Sequence, residues 1–286
     1  MHKVERVSSL RAAVSAARKQ KKTIGFVPTM GNLHAGHLEL VKVAKRHADF
    51  VVVSIFVNPT QFGASEDLNN YPSTPEEDAR LLGECGSDLL FLPDQETMYP
   101  GELAAQTVVY VPELGDLYCG KDRPEHFYGV TTVVSRLFNM VQPDIAIFGK
   151  KDYQQLTIIR RMVVDLAYPV QVVGVETMRS KEGLALSSRN GYLTPAQIGN
   201  APQLYASLQT LAGQLKTINL TKSGIRELER QAKAELRKLG FKPQYITVCR
   251  QTDLQPASKG DKQLVILAAA RLGKARLIDN LEVEIN

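Results

Sequence analysis

Two histidines, His34 and His37, stand three residues apart after a short apolar run and a glycine turn. Imidazoles can donate hydrogen bonds to an anion, and the surrounding residues say where that anion would lie. The run 24–27 (Ile-Gly-Phe-Val) predicts a buried strand, which Pro28 is expected to stop, with Gly31 and Asn32 making a turn. His34, Gly36 and His37 then open a helix whose apolar positions Leu38, Val41 and Ala44 recur at helical spacing. Both histidines are placed on one face at the helix N-terminus, where N–H groups and the positive end of the macrodipole favour phosphate. Gly36 leaves room for a ligand beside the backbone. The pattern points to a nucleoside triphosphate. A pair of polar surface residues, or half a metal site, would show the same spacing. Zinc is disfavoured because no third ligand cluster of Cys, His or acid follows at a suitable distance.

Four other segments carry polar groups, two of them at the ends of strand-like runs. Asn58 and Gln61 lie in Phe-Val-Asn-Pro-Thr-Gln-Phe at 56–62 and can both donate and accept, as a small polar substrate needs. Asn58 could equally be a loop cap before Pro59. Gly149-Lys150-Lys151-Asp152 follows the run 145–148, where a lysine could neutralise phosphate and Asp152 could cap a helix or hold a ribose hydroxyl. Two solvated lysines are the plainer reading. Residues 178–190 bring Ser187, Ser188 and Arg189 together in a glycine-containing loop that could close over a triphosphate or be a flexible linker. Arg123 and His126 precede a further helix.

The elements that must position these groups alternate between strand and helix from 23 to about 176. Strand-like runs fall at 24–27, 50–56, 89–92, 145–148 and 170–175, and helical runs at 38–47, 75–84, 130–141 and 153–166. The strands are nearly continuous in apolar residues, as in a sheet covered on both faces. The expected fold class is therefore α/β, a doubly wound parallel sheet that binds its ligand at the carboxyl ends of the strands. After 176 the pattern changes. Thr194-Pro195-Ala196-Gln197 is a capping-box start, helices are expected near 201–215 and 223–239, Gly240 ends the second, and strands follow near 245–249, 264–272 and 277–285. The expected domains are 1–176, a nucleotide-binding Rossmann-like unit, and 177–286, a smaller α+β unit.

The chain has 286 residues, is 44% hydrophobic and carries a net charge of +5. That charge suits an anionic substrate. No apolar run reaches the roughly 18 residues of a membrane span, so no membrane association is expected. The first ten residues do not resemble a signal peptide. Three widely spaced cysteines, Cys85, Cys119 and Cys249, suit a reducing cytoplasm.

Taken together, the segments at 28–37, 56–62, 123–127 (Arg-Pro-Glu-His-Phe), 149–155 (Gly-Lys-Lys-Asp-Tyr-Gln-Gln) and 186–190 (Leu-Ser-Ser-Arg-Asn) resemble the pantoate–β-alanine ligase family over essentially the whole chain. The His-x-Gly-His element alone is shared across a nucleotidyltransferase superfamily; all five segments in this order are specific. The resemblance implies a Rossmann-like nucleotidyltransferase fold with a C-terminal lid, and ATP-dependent joining of pantoate to β-alanine through a pantoyl adenylate. It implies ATP over Met30, Gly31, Asn32, Leu33, His34, Ala35, Gly36 and His37, over Gly149, Lys150, Lys151 and Asp152, and over Met178, Leu186, Ser187, Ser188 and Arg189. His34, His37 and Lys151 would be catalytic. Gln61 and Gln155 would hold pantoate, Gln61 would also serve the β-alanine site, and Asn58 and Arg123 would be further substrate-binding residues. Mg²⁺ is implied as cofactor, with Asp78 as candidate ligand, and a homodimer as assembly. An acidic first turn at Asp78 is also ordinary helix-dipole chemistry. Two departures, Lys150 where many relatives carry Glu and Leu186 where many carry Met, supply no catalytic group.

Two rivals remain at this point. A cytidylyltransferase would share the histidines and the sheet but lack the paired glutamines. An RNA-binding module could use Lys222, Arg226, Arg230, Lys233, Arg237 and Lys238, although Glu227, Glu229 and Glu235 among them suggest a salt-bridged face, and no nucleic-acid partner is expected.

Overall fold

The computed structural model describes residues 1–63, 66 and 68–285. The chain divides into two compact units, 1–150 with 158–176, and 151–157 with 177–286.

The first unit holds β1 (His2–Val4), α1 (Val7–Lys19), β2 (Ile24–Thr29), α2 (Ala35–His47), β3 (Phe50–Ile55), α3 (Pro75–Glu84), β4 (Leu89–Phe91), the short helices α4 (Gln95–Met98) and α5 (Cys119–Asp122), α6 (His126–Val141) and β5 (Ile145–Gly149). Helix α7 (Tyr153–Asp165) and β6 (Gln171–Val175) follow. Six strands form one sheet in the order β1-β4-β3-β2-β5-β6, every pair parallel. From β2 the chain builds outward through β3 to β4, then returns to place β5 on the other flank of β2. The strand order therefore switches between β2 and β5, the place where such sheets take ligands.

Alternate residues of β2 face opposite layers. Val27 joins Val41, Ala44, Val53, Leu82 and Ile147 in a buried cluster with α2 and α3. Phe26 meets Phe138 of α6 edge-on at 6.4 Å, and Phe138 meets Phe148 at the same distance. A Cβ on Gly25 would stand 2.8 Å from the Ala48 methyl, so glycine there lets the end of α2 lie close on the sheet.

Pro28 does not stop β2, contrary to the sequence expectation. The strand runs to Thr29, with Pro28 opposite Ser54 of β3. The ladder to β5 is confined to Gly25 and Phe26, so at Pro28 one flank of the strand makes no ladder bonds and a missing N–H costs little. Strand β1, three residues long, was not foreseen, because so short a run shows no periodicity.

The second unit contains α8 (Pro195–Asn200), α9 (Gln203–Leu215), α10 (Lys222–Lys238) and an antiparallel sheet β7 (Lys242–Arg250), β8 (Gln263–Leu272) and β9 (Ala275–Glu284). The expected capping box forms, with Thr194 and Gln197 each bonding the other's backbone. Gly240 takes φ +83 after α10, as the sequence suggested. Leu204, Leu208, Leu211, Ile246, Leu264 and Ile266 belong to the core of this unit. The basic residues of α10 are partly neutralised in place, Arg230 by Glu227 and Lys238 by Glu235. Among the described residues no helix is long and apolar enough to cross a membrane.

Candidate active site

The turn after β2 is built largely from its own residues. His34 is the N-cap of α2 rather than part of its body, with φ −133° and ψ 174°. Its Nδ1 accepts from the N–H of Gly36 at 3.1 Å, while Nδ1 of His37 accepts from the N–H of His34 at 3.3 Å. The two histidines thus make a reciprocal capping box, a role usually given to Ser or Thr and Glu. A ring nitrogen that accepts from an amide carries no proton, so the network assigns the ring proton to Nε2 in both residues. The rings lie 4.1 Å apart at 37°. Two Nε2–H donors are therefore held side by side at the positive end of a helix dipole, beyond the carboxyl end of β2.

Asp78 completes this turn from α3. It is 1% exposed. Its Oδ2 accepts from Asn32 N–H and its Oδ1 from Leu33 N–H, both at 2.8 Å, and Oδ1 also accepts from the Thr74 hydroxyl at 3.0 Å. These bonds hold a backbone in which Gly31 has φ +84° and Asn32 φ +48°. Both carboxylate oxygens serve the loop. Among the described residues no group of three or more His, Cys, Asp or Glu could hold a metal ion.

The loop after β3 is organised from farther away. Asn58 is 1% exposed and its amide is locked on both sides. Its Oδ1 accepts from the hydroxyls of Thr60 and Tyr99, each at 2.9 Å, and from the Thr60 N–H at 3.4 Å. Its Nδ2 donates to the Gly129 carbonyl at 3.1 Å and to Oε1 of Gln61 at 3.2 Å. Gln61 in turn points Nε2 at the Met30 sulfur. Arg123 makes a two-pronged ion pair with Glu66, with both contacts at 2.5 Å, and donates to the Gln61 carbonyl at 3.2 Å. His126 Nδ1 meets that same carbonyl at 2.8 Å. Asn58 and Arg123, both expected at the substrate site, are engaged with protein and hold Gln61. Here the loop-cap reading of Asn58 prevails.

Burial would raise the Glu66 carboxyl, but its bonds to Arg123 hold it below the usual carboxylate range. Burial pushes the Tyr99 phenol up, so it remains a donor. Helix α6 approaches this loop closely at Gly129, where a Cβ would stand 2.3 Å from the Thr60 carbonyl oxygen.

Lys150 follows β5 and pairs with Glu176 at 2.5 Å. In the second unit, Lys151 lies 3.7 Å from Asp152, and its carbonyl accepts from Asn280 at 2.9 Å. Residues 178–186 form a small hairpin closed by the Arg179–Ala185 bridge and by Leu186 N–H to Met178 O at 2.9 Å. Arg179 ties it down. Its guanidinium meets both oxygens of Asp279, at 2.7 and 2.8 Å, and lies 3.4 Å over the Tyr205 ring. Ser187 then caps the 3₁₀ turn Ser188–Tyr192 by accepting from Arg189 N–H at 3.3 Å. This segment is a braced part of its unit rather than a slack linker. Gln155, half-buried on α7, makes no side-chain hydrogen bond among the described residues, unlike Gln61.

A family model described as pantoate-beta-alanine ligase matches residues 2–282. The chain belongs to the pantoate–β-alanine ligase family. A pantothenate synthetase of Pseudomonas putida (strain KT2440) is 54% identical over 281 residues, covering 98% of this chain and 97% of that protein. One from Colwellia psychrerythraea (strain 34H) is 52% identical over 287 residues, covering 100% of both. Among solved structures, the pantothenate synthetase of Thermus thermophilus matches with a TM-score of 0.90 at 46% identity, covering 99% of this chain and 100% of that chain. The pantoate-beta-alanine ligase of Francisella tularensis, complexed with beta-gamma ATP and beta-alanine, matches with a TM-score of 0.80 at 35% identity, covering 98% and 97%. Membership makes the chain a ligase of pantothenate biosynthesis, with the expected parallel sheet and smaller antiparallel unit. It displaces the cytidylyltransferase reading.

Tyr99, Gly129 and Glu66 were not anticipated as parts of this site. Tyr99 sits in Met98-Tyr99-Pro100, which has no helical or alternating pattern to mark it. His126 is marked by its type and by its place in the segment 123–127.

Proposed function

We propose that this chain joins pantoate to β-alanine in two steps at the expense of ATP. The pantoate carboxylate attacks the α-phosphorus of ATP, forming pantoyl adenylate and releasing pyrophosphate. The β-alanine amine then attacks the acyl carbon, forming the amide and expelling AMP. The observation that carries this reading is the pair of Nε2–H donors on His34 and His37 at the start of α2. Donors already oriented toward developing phosphoryl charge need no reorganisation during reaction.

Lys151 is assigned to the phosphates, as are Ser187, Ser188 and Arg189. His34 and His37 are likewise assigned to the phosphates, and the other residues from Met30 to Gly36, with Gly149, Lys150, Asp152, Met178 and Leu186, to the rest of the nucleotide. Gln61 and Gln155 are assigned to pantoate. Asn58 and Arg123 act behind Gln61. These roles rest on the family resemblance and on the hydrogen bonds described above. Mg²⁺ enters as part of the substrate, carried on the triphosphate, since Asp78 is engaged with backbone. The β-alanine amine must be neutral to attack, and water can take its proton. We further propose a cytoplasmic homodimer whose C-terminal unit serves as a lid. The absence of any disulfide among the three cysteines suits that compartment. Sedimentation tests the dimer, and slower hydrogen exchange across 178–190 with ATP and pantoate together tests the lid.

The deciding experiment is product analysis with ATP, pantoate and β-alanine. AMP, pyrophosphate and pantothenate in equal amounts are expected; ADP as product would overturn the reading.

A further inference from the structure

The hydrogen bonds around Asn58 fix more than its own position. A side-chain amide has an acceptor end and a donor end, and its neighbours decide which faces where. For Asn58 the assignment is unambiguous. A backbone N–H, that of Thr60, lies on one side, and a backbone carbonyl, that of Gly129, lies on the other. The hydroxyls of Tyr99 and Thr60 reinforce the acceptor side. Asn58 must then direct its NH₂ toward Gln61, and the Gln61 atom that receives it must be Oε1. The other end of Gln61, its NH₂, is thereby turned outward, where it meets the Met30 sulfur at 2.8 Å. A thioether is a weak acceptor, so a substrate oxygen that replaces it forms a stronger bond.

We propose that Tyr99 is a positioning residue for the pantoate site, acting through Asn58 to hold Gln61 as a hydrogen-bond donor. The relay runs from the Tyr99 hydroxyl to Asn58 Oδ1, and from Asn58 Nδ2 to Gln61 Oε1. Its consequence is a polarity for the site: Gln61 offers N–H, and the substrate must offer a carboxylate or hydroxyl oxygen. Tyr99 is suited to the task because it is 1% exposed, with the Arg136 guanidinium 5.3 Å from its ring centre. This inference rests on the assignment of Gln61 to pantoate.

A double-mutant cycle tests it in the full-length enzyme. Tyr99→Phe removes the hydroxyl and keeps the ring. The KM for pantoate should rise about 5–10-fold, the scale of one buried hydrogen bond, while the KM for ATP stays within about twofold. In a Gln61→Ala background the same substitution should change the pantoate KM by less than about twofold, because the relay then has no terminus. A Tyr99→Phe factor that persists undiminished on top of a raised KM in Gln61→Ala overturns the relay alone. An unchanged pantoate KM in Gln61→Ala overturns the substrate assignment beneath it. Gln61→Glu, which has no donor to offer, should raise the pantoate KM further than Gln61→Ala, and a smaller rise overturns the donor polarity. Should Tyr99→Phe fail to fold, Thr60→Val removes the other hydroxyl on Asn58 Oδ1 and carries the same cycle.

Discussion

The turn after β2 and the loop after β3 leave neighbouring strands of one sheet, yet different kinds of contact hold them. His34 and His37 orient each other through bonds spanning two or three residues, with Asp78 as the distant support. Gln61 depends on Asn58, whose own partners Tyr99 and Gly129 lie 41 and 71 residues away, and on Arg123 and His126, 62 and 65 residues away. The histidines proposed for the chemistry are arranged largely by the same short segment that carries them. Gln61, the group proposed to select substrate, is arranged by the rest of the unit. Loss of either histidine of the first should therefore be felt in the chemistry, whereas damage to the second can come from many places and should appear in the use of one substrate.

The largest expected effect is on the turn. His37→Ala should lower adenylation about 10²–10³-fold, the loss expected for one preorganised donor. His34→Asn separates two roles of one residue, since asparagine can still cap α2 but has no Nε2–H. It should keep the thermal midpoint and lose adenylation to a similar extent. Normal adenylation in that variant would make His34 a cap and nothing more.

A smaller effect is expected where α6 touches the loop. Gly129→Ala forces a methyl against the Thr60 carbonyl, so the backbone at 60 and 61 must shift. Overpacking of this kind costs about 1–3 kcal/mol of stability. The pantoate KM should rise about tenfold, by analogy with a misplaced positioning group. Steady-state kinetics with each substrate varied in turn would show whether ATP is affected equally, which would erase the distinction between the two regions.

Asp78→Asn should act on the turn by stability rather than by metal. One of its oxygens becomes an NH₂ facing a backbone N–H, at a cost of about 1–3 kcal/mol in a denaturation experiment. The dependence of rate on Mg²⁺ should keep its midpoint. A shift of that midpoint would return Asp78 to the metal.

The smallest effect is a pH dependence. Glu66 titrates below the usual carboxylate range in the folded protein, so its pairing with Arg123 is complete above that range. The pairing is lost as pH falls through the lowered value. The partly exposed pair contributes about 0–1 kcal/mol. Pantoate KM should accordingly be flat near neutrality and rise only in acid, and Glu66→Gln should remove that rise.

The same contrast explains what could be read from the sequence. Helix α3 falls on 75–84 as its pattern predicts, and the capping box at Thr194 and the terminal Gly240 are where local chemistry puts them. The histidine turn was legible for the same reason. Even there, tautomers and capping roles needed coordinates, since residue spacing does not say which ring nitrogen meets which amide. Residue type and the family segments bring Asn58 and Arg123 to the substrate site, and only their remote partners show the bonds by which they hold Gln61. Pro28 was read as a stop because proline lacks an N–H, and the extent of the β2–β5 ladder, which excuses it, is a tertiary fact.

The most direct test of the account is exchange of labelled pyrophosphate into ATP with pantoate and no β-alanine. Exchange should run in the native enzyme. It should fall about 10²–10³-fold in His37→Ala at any pantoate concentration. In Gln61→Ala it should be weak at low pantoate and recover as pantoate is raised. Exchange that requires β-alanine would contradict the adenylate, and equal, unrecoverable losses in the two variants would contradict the division of labour between the turn and the loop.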